Sequence, residues 1–173
     1  MLLAPVMMVL ATVEGVHWVR APQVDLATIG AALFSYLLLA RMEEVGFRSY
    51  PLLPLKRILG LWTAQSIVAV AFIAYHVLNG QPWVSAVVGT GLGSLLFGMA
   101  AVTSRGLALP IGLHAMWNFG TWALGDKGGP WVWTPVFAHR PGRSGEFAYV
   151  AAFLLWTAGF HFWQKWATKV SSE

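Results

Sequence analysis

The 173 residues are 57% hydrophobic and 14% aromatic, with only 10% charged and a mean hydropathy of +0.63, which no soluble domain of this length carries. There is no cysteine, which excludes a structural disulfide, a thiol nucleophile and a thiolate metal site. The net charge of +4, from 11 Lys and Arg against 7 Asp and Glu, is spread over short connections without a basic run; it reads as a topology signal, not as a nucleic-acid footprint.

A bilayer crossing needs about 20 apolar residues, and the chain can be divided on that rule. The segment 1–18, "MLLAPVMMVLATVEGVHW", is apolar until Glu14 and His17 interrupt it. It lacks the basic start and small-residue cleavage site of a signal peptide and reads as a short or truncated first span. A span follows at 26–42. The stretch 49–60, "SYPLLPLKRILG", holds two prolines and two cations and reads as a loop. Further spans are expected at 60–79, 83–104, 106–125 and 147–164. Within the 83–104 span, "VVGTGLGSLLFGMA" (87–100) spaces Gly89 with Gly93 and Ser94 with Gly98 four residues apart, the pattern that lets membrane helices approach closely. The segment 126–146 mixes Gly and Pro with Trp131, Trp133 and Phe137, and suits either an interfacial loop or an ordinary one. If the spans alternate, Lys56, Arg57, Arg105, Lys165 and Lys169 share one side, which favours a cytoplasmic 49–59 connection and C-terminus.

The expected architecture is an all-α, polytopic transmembrane bundle of five to six spans, a single integral-membrane domain over 1–173. Ionisable side chains inside spans cost about 2.5–3.5 kcal/mol each on insertion scales, so they face a protein interior and mark candidate sites. Three places qualify. In "EEVGFR", Glu44 and Arg48 are four residues apart with the acid first, the favourable order for an ion pair. Glu43 points about 100° away and is left to face elsewhere. In "FIAYH", Phe72 and His76 share a helix face, as do His114 and Asn118 in "HAMWN". If these stripes converge, carboxylate, imidazoles and amide form one intramembrane cluster. Taken singly, each has a plainer reading as an interhelical hydrogen bond or a helix-end anchor. That plainer reading is preferred for His17, His139 and His161.

Three motifs in this order, each on its own apolar span, resemble the CPBP family of intramembrane proteases: the type II CAAX prenyl endopeptidases and the related bacteriocin-processing and bacteriocin-immunity proteins. The resemblance covers roughly 36–125. Members often carry more spans before the first motif, whereas one short segment precedes it here.

The resemblance implies an endopeptidase in which Glu43 and His76 bind and deprotonate a water, His114 and Asn118 donate to the oxyanion, and Glu44 and Arg48, with Phe72, support the site. No metal is expected; a zinc held by Glu43, His76 and His114 is the alternative. The implied partners are membrane lipid and a polypeptide substrate, possibly lipidated, and the implied location is the cytoplasmic membrane of a prokaryote. Two other readings are a non-proteolytic bacteriocin-immunity or scaffold protein and a small proton-relay transporter.

Overall fold

A computed structural model describes residues 3–138 and 142–170, so His139 and Arg140 lie outside the described residues. Among the described residues the fold is six helices and one two-stranded ribbon. In chain order they are α1 (Leu3–Val13), β1 (Val16–Arg20), α2 (Leu26–Leu59), α3 (Leu61–Leu78), α4 (Trp83–Ser104), α5 (Ala108–Ala123), β2 (Trp133–Phe137) and α6 (Ser144–Val170). Helices α2, α3 and α4 are long and apolar enough to cross a membrane. Large apolar side chains such as Phe34, Val70 and Leu155 point outward, as they do where a helix faces lipid.

The first departure from the sequence reading is at 49–60, which is helix, not loop. Helix α2 runs 34 residues, and Val45–Leu52 within it is a π-helical stretch containing Pro51. A proline lacks the amide hydrogen and clashes with the carbonyl one turn back, which normally breaks an α-helix. The wider π turn accommodates it, and the Leu53 amide bonds to the Arg48 carbonyl five residues back. Pro54 sits in the first turn of the following α-helical stretch, where its missing donor is harmless. The chain turns only at Gly60, whose φ of +80° suits a residue without Cβ.

The second departure concerns both flanks. Helix α1 has 11 residues, which at 1.5 Å each give about 16 Å, short of the ~30 Å hydrocarbon core. The residues after it form β1, antiparallel to β2 in register Val16↔Phe137 to Arg20↔Trp133. The end of the presumed first span and part of the presumed 126–146 loop are therefore one ribbon, in which Val, Thr, Trp and Phe suit a pleated surface. Glu14, which interrupts the apolar run, accepts hydrogen bonds from Ser144 Oγ and from the Gly142 and Gly145 amides, clasping α1 to the start of α6. Those bonds, the Ser144 hydroxyl first, hold its carboxyl below the usual range.

The small residues of α4 pack as expected. A Cβ on Gly91 would press on Ile73, one on Gly98 would overlap the Gln65 side-chain amide, and Gly93 lies against Phe97 and Phe153. The glycines thus admit α3 on one face and α6 on another. Two apolar clusters complete the interior: Leu52, Ala64, Val68 and Val102 near the Gly60 turn, and Leu96, Phe97 and Phe153 farther along.

Candidate active site

The Gly60 turn sets which residues of α2 and α3 are level. In an antiparallel helix pair, positions equally far from the turn lie side by side, because each residue adds the same 1.5 Å. Leu52 and Val68 are each 8 residues from Gly60 and share the core. Arg48 and Phe72 are each 12 away, and the guanidinium lies 4.5 Å from the ring centroid. Glu43 is 17 before and His76 is 16 after, and they too come level.

Glu44 and Arg48 form the ion pair their spacing predicts, Nε to Oε2 at 3.1 Å, with neither side chain exposed. The guanidinium also donates from Nη2 to the Ser94 carbonyl of α4 at 3.4 Å. The other Glu44 oxygen, Oε1, lies 2.8 Å from His114 Nδ1. A carboxylate only accepts, so Nδ1 carries a proton and Nε2 faces the opposite way. Phe97 stacks on the His114 ring at 4.6 Å and 15°, fixing its plane.

Glu43 stands between the two histidines. Its Oε2 is 3.6 Å from His114 Nε2 and its Oε1 is 4.0 Å from His76 Nε2. Both gaps exceed a hydrogen bond, so neither Nε2 bonds Glu43 directly. Oε2 is buried without a hydrogen-bond partner among the described residues. His76 Nδ1 lies 2.9 Å from the Phe72 carbonyl. A carbonyl also only accepts, so Nδ1 carries a proton, and in the neutral ring the Nε2 lone pair faces Glu43. Two acceptors therefore confront each other across a gap. An arrangement of this kind is stable when a donor with two O–H groups lies between them.

The family model described as "Type II CAAX prenyl endopeptidase Rce1-like" matches residues 25–120, more than half of the chain. The chain belongs to the Rce1-like family. It is an integral membrane protein of a peptidase family. The matched segment begins at Asp25, which caps α2 by accepting from the Thr28 amide at 2.8 Å, and ends within α5. The residues of all three motifs therefore lie inside it, while α1, the ribbon and α6 lie outside. No curated protein and no solved structure matches the chain.

Asn118 lies one turn beyond His114 on α5, half-buried, and its Oδ1 accepts from Lys127 Nζ at 2.7 Å. Lys127 also lies over the Tyr36 ring of α2, 5.1 Å from its centroid. Burial draws its pKa down, while the charges of Asp126 and Glu43 act in the opposite sense. Sequence reasoning missed this lysine, which follows α5 in a Gly-rich connection and belongs to no periodic pattern. It also missed Phe97, which reads as one more apolar residue of α4.

A metal here would draw on Glu43, His76 and His114. Among the described residues no three His, Asp or Glu side chains are grouped as ligands. The separations of 3.6 and 4.0 Å are wider than the ~3.4 Å edge of a tetrahedral zinc site with ligands at 2.0–2.1 Å. Two other histidines stand apart. His17 is exposed on β1, and His161 packs against Trp62. A cavity of about 950 Å³ borders α5 on the ribbon side, lined by Trp18, Trp117, Thr121 and Tyr149 among others.

Proposed function

We propose that the chain is an intramembrane endopeptidase that hydrolyses a peptide bond with a water activated by Glu43 and His76. The observation that carries this reading is the buried Glu43 carboxylate facing the Nε2 atoms of both His76 and His114 at 4.0 and 3.6 Å. A water in that space directs one O–H to Glu43 and the other to the His76 lone pair, leaving its oxygen lone pairs free to attack. As the oxygen bonds to the scissile carbonyl carbon, Glu43 takes a proton, and it returns that proton to the leaving nitrogen when the C–N bond breaks.

The developing oxyanion needs donors already in place. Asn118 supplies Nδ2–H, and His114 supplies Nε2–H when both ring nitrogens carry protons. Glu44 and Arg48 hold His114 and the α2 backbone, and Phe72 floors the site. The reading is metal-free: beside the histidines stands Asn118, whose amide suits an oxyanion donor better than a zinc ligand. The substrate is a polypeptide, which the family description allows to be prenylated, and the cavity beside α5 offers room for its flanking residues. The membrane is assigned as the cytoplasmic membrane of a prokaryote.

The test is cleavage of quenched-fluorescence CAAX peptides, farnesylated and plain, by purified protein in detergent, with products identified by mass and metal content measured on the same sample. Wild type cuts a peptide bond, while His76→Ala and His114→Ala do not. One zinc per chain, whose removal abolishes cleavage, would overturn the metal-free step. Full cleavage by His76→Ala would overturn the water assignment.

A further inference from the structure

We infer that Lys127 is a positioning residue that fixes which end of the Asn118 amide faces the reacting group. An asparagine can present either its carbonyl oxygen or its amide nitrogen to a site, and the two ends are nearly equal in shape. An ammonium group has three donors and no acceptor. With Lys127 Nζ 2.7 Å from the amide, the oxygen must turn toward the lysine, and the NH₂ end is left for the other side. Reversing the amide would set N–H against N–H⁺ and lose a charge-assisted bond. The lysine also lies over the Tyr36 ring of α2, 5.1 Å from its centroid. It therefore ties the segment after α5 to α2 and orients the donor that α5 carries.

The inference rests on Asn118 being an oxyanion donor, and the experiment separates the two. A quenched peptide selected for cleavage by wild type is used to measure kcat and KM for Lys127→Met, Lys127→Arg, Asn118→Ala and the Lys127→Met/Asn118→Ala pair, with Tm recorded for each. Loss of an oxyanion donor lowers kcat about 10²–10³-fold, and an amide that turns its oxygen to the site has lost that donor. Lys127→Met should lower kcat by at least tenfold with KM little changed, and Lys127→Arg, which keeps donors only, should recover most of it. In the Asn118→Ala background Lys127→Met should lower kcat no further, because there is no amide left to orient. Equal loss in both backgrounds overturns the positioning role. Full activity of Asn118→Ala instead overturns the oxyanion assignment on which it rests. A Tm drop in Lys127→Met that accounts for the lost activity, with no rescue by Lys127→Arg, also counts against the inference.

Discussion

The carboxylate of Glu44 meets His114 Nδ1 at 2.8 Å while its other oxygen faces Arg48 at 3.1 Å, so one buried acid connects α2 to α5 and serves two cations or donors at once. Its position within α2 suggests only the Arg48 partnership. The contact with His114 adds a second role, since it holds the ring with Nε2 toward Glu43.

Replacing Glu44 by Ala should therefore change the tautomer of His114 as well as the rate. Nitrogen-15 NMR of histidine-labelled protein should show His114 protonated at Nδ1 in wild type and a mixture in the variant. The kcat should fall about 10²-fold, the scale of mispositioned acid–base groups. An unchanged His114 signal in a folded variant would contradict the orienting role.

Arg48 has no exposed side-chain surface, and removing its charge leaves Glu44 buried without its ion-pair partner. Breaking a buried pair from one side costs about 3–5 kcal/mol. For a chain of this size Arg48→Met should lower Tm by about 6–20 °C. Because the loss is uncompensated charge, Glu44→Leu with Arg48→Met should recover part of the Tm without restoring cleavage. A double variant less stable than either single one would show that charge is not the cause.

Much of the bundle was legible from apolar run lengths alone, and the Glu44–Arg48 pair from helical spacing. The level meeting of Glu43 with His76 was not, because Pro51 and Pro54 read as a loop that would end α2 near the membrane surface. Only the continuation through the π stretch to Gly60 brings both residues within one position of the same distance from one turn. The ribbon escaped for a different reason: strands of five residues each carry too short a pattern, and their partners lie more than a hundred residues apart. Lys127 escaped because a connection carries no period from which a facing direction can be read.

Gly98 tests the close approach of α3 and α4. A methyl group there would overlap the buried Gln65 amide, which donates to the Leu95 carbonyl at 3.4 Å. Gly98→Ala should destabilise by about 1–3 kcal/mol. With Gln65→Ala already in place the same change should be nearly neutral. Equal effects in both backgrounds would mean that Gln65 is not what the methyl meets.

The Glu14 clasp should make stability acid-sensitive. Its carboxyl is held below its ordinary value of 4.5 chiefly by Ser144 and the Gly145 amide, so the stabilisation is complete above that value and is lost as pH falls through the lowered one. Melting curves from pH 7 downward should show wild type more stable than Glu14→Gln at neutral pH. The two should converge in acid below about 4.5. Parallel curves at every pH would remove the clasp from the account.

The role of Glu43 as base is tested most directly by kcat for Glu43→Gln, which keeps the size of the side chain and removes its ability to take a proton. With Tm preserved, the cleavage rate on a wild-type-selected peptide should fall at least about 10³-fold, within the range of general-base loss. A folded Glu43→Gln protein that keeps more than about a tenth of the wild-type rate would show that Glu43 is not the base.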